Sequence, residues 1–161
     1  MARRTPLTAD EALERLEELC MRSEQCTADA RRKLWTWQVP SDRANEVIDS
    51  LIERKFIDDG RFARAFVSDR YRFAGWGRSK LRAALMNKHM SQALISQAME
   101  GIDPVTYQMA AFNALRSKLR SIDRTDMRRC RERLLRFGIS RGYETDLVIR
   151  IINSRRLWLQ E

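Results

Sequence analysis

Arginine at helical spacing carries most of the chemistry in this sequence. Over residues 61–72, Arg61, Arg64, Ser68 and Arg72 fall along one helical face, and Phe62, Phe66, Asp69 and Phe73 fall along another. Arg70 follows in the same stretch. Arg78, Lys80 and Arg82 stand beside a Leu81/Leu85 stripe. Arg129, Arg133 and Arg136 are spaced i, i+4, i+7, opposite Met127, Cys130 and Leu134. A guanidinium presents a planar fork that bonds phosphate or carboxylate in pairs, which lysine cannot copy. Trp76 lies between Gly75 and Gly77 among these cations. It either stacks on a base or a protein partner, or plugs a core. These eleven positions, Ser68 aside, are the candidate contact residues, and the alternative to a contact face is a merely solvated one.

The net charge is +9, and its distribution says more. Residues 61–90 hold eight Lys/Arg against Asp69 alone, and residues 116–136 hold nine against three acids. Residues 1–60 sum to −3. Clustering of this kind points to a polyanion or an acidic protein surface. Catalytic patterns are missing. His89, the only histidine, has no carboxylate or thiol near it in sequence to build a triad or a metal site. Asp58-Asp59 suits a helix start better than a metal. No glycine-rich phosphate loop occurs. We therefore expect no enzyme, no cofactor and no metal. Cys20, Cys26 and Cys130 form no C-x-x-C pair and fit a reducing cytosol, with Cys130 as a small core residue. No run reaches the length of a membrane span. Met1–Pro6 leads into no apolar stretch, so no secretory signal is expected. A cytoplasmic monomer is the expectation.

The elements that position these residues are helices. Thr8-x-x-Glu11 reads as a capping box, and Thr27, Asp58, Ser91, Asp103-Pro104 and Thr125-Asp126 as further helix starts. Ile57 and Phe62 stand where a hydrophobic staple would, and the last helix should run from about Gly142 to Ser154. The sequence also repeats. Leu34, Leu85 and Leu134 align, with Ala30, Leu81 and Cys130 four residues before them and Arg31, Arg82 and Arg131 three before. Val39, Met90 and Ile139 follow five later. Val47/Ala98/Leu147, Ile48/Met99/Val148 and Leu51/Ile102/Ile151 complete seven ungapped columns. The arginine triplet either repeats a contact or pairs inside each unit with acids such as Asp49; we favour pairing. The fold expected is all-α: three tandem three-helix, helix-turn-helix-like units at 1–55, 56–102 and 103–161, stacked into an elongated, curved body. Leading helices are expected near 9–21, 59–73 and 104–118. Such units also build stand-alone DNA readers, which is the alternative reading.

The central stretch resembles a known family. Phe56-Ile57-Asp58-Asp59-x-Arg61-Phe62-Ala63-x-Ala65-Phe66-Val67-x-x-Arg70, followed by Gly75-Trp76-Gly77-Arg78-x-Lys80-Leu81-Arg82-x-x-Leu85, is similar to the signature of bacterial RecX regulatory proteins. The family's usual Lys-Gly turn is Lys88-His89 here. The resemblance implies a modulator of the RecA recombinase. It would bind the RecA filament on single-stranded DNA, lie in its groove, and limit ATPase, strand-exchange and co-protease activity. Direct contact with single- or double-stranded DNA would be a further implied property.

Overall fold

The structure, a computed structural model, describes residues 6–159, so all of the Met1–Pro6 run except Pro6 lies outside the described residues. Among these residues there are ten helices and no strand. The first three are α1 (Ala9–Arg22), α2 (Thr27–Thr36) and α3 (Ser41–Glu53). Next come α4 (Asp59–Phe73), α5 (Arg78–Asn87) and α6 (Gln92–Glu100). Last are α7 (Pro104–Leu119), α8 (Met127–Ser140), α9 (Thr145–Asn153) and the single turn α10 (Arg155–Trp158). The first nine form three successive sets of a leading, a middle and a closing helix. None of the described helices is long and apolar enough to cross a membrane. The accessible area is 10790 Å² for 19.0 kDa, against roughly 8,400 Å² for a compact monomer of that mass. Small units stacked in series account for the excess.

Side chains set the helix starts. The Thr8 amide donates to Glu11 Oε2 (2.8 Å) and the Glu11 amide to Thr8 Oγ1 (3.3 Å), closing the capping box. Asp58 accepts from the Arg61 amide (2.9 Å), Ser91 from Leu94 (3.2 Å), Asp103 from Thr106 (2.7 Å) and Asp126 from Arg129 (3.1 Å). Thr27 behaves differently from expectation. It is the first residue of α2, and its amide donates to Asp59 Oδ1 of the next unit (2.8 Å). Ile57 and Phe62 occupy the staple positions but are buried in different cores.

The third unit departs from the ungapped repeat. Helices α2 and α5 have 10 residues each and α8 has 14, one extra turn. In the first two units the turn after the middle helix places Gln38 (φ 60°) and His89 (φ 57°) in the left-handed region; in the third it is Gly142 (φ 89°) that does so. The next residue closes each turn onto a carbonyl of the middle helix: Val39 onto Leu34 (3.0 Å), Met90 onto Leu85 (3.3 Å) and Tyr143 onto Gly138 (3.1 Å). Tyr143 thus matches Val39 and Met90, and Ile139 stays 47% exposed. Because four residues make about one turn, the slip leaves the apolar face in phase. The helix expected to be the last, α9, accordingly starts at Thr145, not near Gly142, and the single turn α10 follows it.

Two joints connect the units. Between the first and second, Arg61 donates to Glu24 (2.7 Å) and to the carbonyls of Lys55 and Phe56 (both 3.2 Å). Lys88 donates to Asp29 (2.7 Å). Burial alone would raise the Asp29 pKa, but the hydrogen bond from Lys88 and its charge leave the carboxyl below its ordinary range. Between the second and third units the backbones touch. The Gly77 amide donates to Arg141 O (2.7 Å) and the Ser79 amide to Gly142 O (3.1 Å). A Cβ on Gly77 would stand 2.1 Å from the Gly142 carbonyl carbon. Arg141 donates to the carbonyls of Ala74 and Gly75. Behind this contact Tyr71, Tyr107 and Tyr143 form a buried ladder with ring centroids 6.2 and 5.6 Å apart. The second and third units therefore share one core, from Val67 and Leu85 through Leu115 to Leu134 and Val148. The first unit has its own core around Leu16, Leu34, Ile48 and Leu51.

Three measurements check this account. Gly77→Ala should lower stability by about 1–3 kcal/mol, because the backbone it meets has to shift. His89→Gly should raise stability by up to about 1 kcal/mol, because glycine carries no penalty at positive φ. Chemical denaturation reads both. Hydrogen bonds from Arg61, Thr106 and Thr125 hold the Asp58, Asp103 and Asp123 carboxyls below the usual range. Their contribution is present above the unfolded value of about 4 and is lost as pH falls through the lower folded values. The melting temperature should drop on acidification through that window, less steeply when all three are replaced by Asn.

Candidate functional site

The basic segment is laid out on α4, the loop at 74–77 and α5. The α4 residues Phe62, Ala63, Val67 and Tyr71 face the shared core. Phe66 is half-buried and stacks on Phe62 with ring centroids 5.7 Å apart. Phe73 does not continue this buried face; it is 84% exposed. Periodicity fixes the direction of a side chain but not how far along the helix its covering elements reach. Arg64, Arg70 and Arg72 are exposed on α4, and Arg82 is exposed on α5.

Trp76 is the centre of the cluster. Its ring meets Phe66 edge-on, with centroids 5.9 Å apart. The Arg70 guanidinium sits 5.1 Å from its centroid and the Lys80 ammonium 4.4 Å. Arg70 also covers Phe66, at 5.2 Å. Trp76 is half-buried: its ring packs on the core aromatic Phe66, while Arg70 and Lys80 cover it. A cation–π contact at a partly exposed site is worth about 0.5–1 kcal/mol, and a hydrogen bond to a charged group about 1.5–3. Arg70 and Lys80 are therefore held ready, yet free to turn toward a phosphate or carboxylate.

The other candidates separate by role. Arg61 is tied into the first joint, as described above. Arg78 is tied into the second: it donates to Glu144 (3.0 Å), and its guanidinium lies 4.1 Å from the Tyr107 ring centroid. The Tyr107 hydroxyl accepts from the Arg78 amide (2.9 Å) and donates to Glu144 (2.8 Å). Burial, with the Glu144 hydrogen bond and charge, pushes this phenol well above its ordinary pKa. Arg72 donates through Nε to the Tyr71 hydroxyl (3.1 Å) and is otherwise exposed. Arg129, Arg133 and Arg136 are exposed on α8, and Arg129 pairs with Asp126 at 3.4 Å. In the repeated triplet, Arg31 donates to Asn45 (2.7 Å) and Arg131 to Asn153 (3.0 Å), amides rather than the expected acids. Arg82 makes no hydrogen bond or ion pair among the described residues.

The sequence reading missed Tyr107, Arg141, Gly142 and Glu144, which hold the second joint. One signal was available. A glycine after a long apolar-periodic run marks the residue that closes a helix, and Gly142 stands two residues past the end of α8, after its C-cap Arg141.

With this geometry in place, comparison with known proteins gives the family. Residues 58–99 match the family model described as RecX, second three-helix domain. Regulatory protein RecX of Clostridium botulinum (strain Eklund 17B / Type B) is 30% identical over 115 residues, covering 70% of this chain and 53% of that one. The chain thus spans about half the length of the clostridial relative. Regulatory protein RecX of Mycolicibacterium vanbaalenii is 30% identical over 162 residues, covering 92% of this chain and 88% of that protein. A crystal structure of a regulatory protein RecX is similar with a TM-score of 0.81 at 17% identity, covering 91% of this chain and 73% of that one, which shows the shared helical fold. The signature residues hold both joints of the second unit, Asp59 and Arg61 at the first and Gly77 and Arg78 at the second, and the likeness to the mycobacterial relative extends over nearly the whole of both chains: this chain belongs to the RecX family of regulatory proteins.

Proposed function

We propose that this chain binds the RecA recombinase filament on single-stranded DNA in the bacterial cytoplasm and slows its ATP hydrolysis, strand exchange and co-protease activity. The observation that supports this most is the Arg70–Trp76–Lys80 cluster, with exposed Arg64 and Arg82 on the same two helices. A rigid joint presents these cations, and among them only Arg70 and Lys80 are engaged, by weak ring contacts. An acidic protomer surface offers carboxylates that can take their place. Serial units give the reach to touch more than one protomer along a filament. The proposal assigns the chain no chemical step, since inhibition here is differential binding to one state of the filament.

The geometry also separates the arginines by expected effect. Arg64→Ala, Arg70→Ala and Arg82→Ala together should weaken inhibition of the host recombinase's DNA-dependent ATPase at least tenfold in the concentration required, with the melting temperature lowered by only a few degrees through the lost Arg70 ring contacts. Arg78→Ala should instead lower the melting temperature, because it leaves Glu144 without its cation partner. If the triple variant inhibits as well as the parent chain, the α4–α5 face is not the contact surface. If the parent chain fails to slow hydrolysis across a full titration, the proposal as a whole is wrong.

A further inference from the structure

The leading helix of the third unit carries a second apolar face, and that face is largely exposed. Helix α7 is uncharged from 104 to 115, in a chain with 33% of its residues charged. One side of it, Tyr107, Ala111, Leu115 and Leu119, is buried in the shared core. A second stripe, Val105, Met109 and Phe112, follows i, i+4, i+7 spacing on another side. Val105 is 68% exposed, Met109 59%, and Phe112 is half-buried. A helix that is apolar on more than one side is ordinarily covered on each of them. In the first two units the leading helix lies against the closing helix, whereas α7 lies against α4 and α8 and touches α9 only lightly. A groove of about 340 Å³ is open between α7 and α9, lined by this stripe together with Leu147 and Ile151. Two exposed arginines border it, Arg150 of α9 and Arg156 of α10, the latter with its guanidinium 5.1 Å from the Phe112 ring centroid. None of the described residues lining the groove is acidic. Asp146 stands one turn before Arg150 but outside the groove, and Glu144 beyond it is bonded to Arg78 and Tyr107. Neither arginine makes an ion pair or hydrogen bond among the described residues.

We propose that the α7–α9 groove docks a short acidic amphipathic helix of a partner protein, with its apolar face on Val105, Met109 and Phe112 and its carboxylates beside Arg150 and Arg156. Three features select that occupant. The exposed stripe spans two helical turns, about 10 Å, and asks for apolar side chains repeated at the same spacing. Two arginines without a carboxylate in the groove ask for acids beside those apolar residues, since the guanidinium fork bonds a carboxylate in pairs. The space is bounded by two helices, and the other two units fill its counterpart with direct helix–helix packing, so a third helix is the shape that completes it. The groove shares no residue with the Trp76 cluster, so the docking site goes beyond the function proposed above.

The experiment is fluorescence anisotropy with the full chain and a labelled peptide of about 16 residues, long enough for a marginal helix. The peptide has leucines at i, i+4, i+7 and i+11 and alanine and glutamate elsewhere. A scrambled peptide of the same composition, with its leucines spread around the helix, controls for the attraction of a basic chain to any acidic peptide. A third peptide carries lysine for glutamate. The parent should bind the first about tenfold or more tighter than either control. Val105→Ser with Met109→Gln should remove the preference over the scrambled peptide, with little change in melting temperature because both side chains are exposed. Arg150→Gln with Arg156→Gln should cut the preference for glutamate over lysine roughly tenfold. Arg43→Gln with Arg128→Gln, which removes the same charge from other exposed positions, should leave that preference unchanged. Failure of the parent to bind, equal binding of the scrambled peptide, or undiminished binding by the Val105/Met109 variant would each overturn the inference. Sedimentation of the chain alone closes the test: self-association lost in the Val105/Met109 variant would make a second copy the occupant and overturn it too. The assay contains neither recombinase nor DNA. Peptide docking without ATPase inhibition refutes the proposed function alone, and inhibition without peptide docking refutes only this inference.

Discussion

The backbone contact between Gly77 and Gly142 is the constraint on which the rest of the structure depends. Two turns approach so closely that no Cβ fits between them. The approach allows Gly77 and Ser79 to donate to carbonyls of the α8–α9 turn. It also sets the three tyrosines behind the turns, Tyr71 tilted against Tyr107 and Tyr107 edge to face with Tyr143. Each aromatic pair adds about 0.5–1.5 kcal/mol beyond its buried area. The loop that carries Trp76 is thus pinned at both ends, by Gly77 on one side and by Arg141 on the carbonyls of Ala74 and Gly75 on the other. A binding residue on a loop needs such support if its ring and its flanking cations are to keep one geometry.

The two joints divide the labour among residues that look alike in sequence. Arg61 and Arg78 sit in the same signature as Arg70 and Arg82, yet they serve as internal clamps. The first joint is built from ion pairs, a shared helix cap in which Asp59 reaches back to the amide of Thr27, and a small apolar contact of Cys26 and Ala28 with the core of the next units. Its charged groups are partly exposed, so each pair contributes little, about 1 kcal/mol or less. The second joint rests on a shared core. The nearly neutral first unit is thus attached mainly by polar contacts, while the two basic units form one body. That body holds the Trp76 cluster.

Much of the fold is legible in the sequence because caps and apolar spacing are local signals. Asp58, Ser91, Asp103 and Asp126 start their helices, and the leading helices lie within a residue or so of their expected ends. The repeat was legible in outline, but its register in the third unit was not. A four-residue insertion keeps a helix face in phase, so Leu147 and Ile151 both satisfy the apolar pattern at the position of Val47. Only the left-handed residue in each turn resolves it, and a backbone angle is not visible in side-chain type when Gln38 and His89 adopt what Gly142 adopts. The candidate site was legible as a set of arginines and not as roles. Which arginine is a clamp depends on carboxylates and carbonyls far away in the chain, such as Glu24 for Arg61 and Glu144 for Arg78. Phe73 was misplaced for a related reason, since its helical phase matches Phe62 but nothing covers it.

The central claim is that the joined second and third units present the contact face through the loop at Trp76. Hydrogen exchange of the chain, free and bound to its host's recombinase filament on single-stranded DNA, tests it most directly. The account predicts slowed exchange in residues 68–83 on binding, with the amides of α1 unchanged. Protection confined to α1 and α3, with the 74–77 loop exchanging as in the free chain, would contradict it.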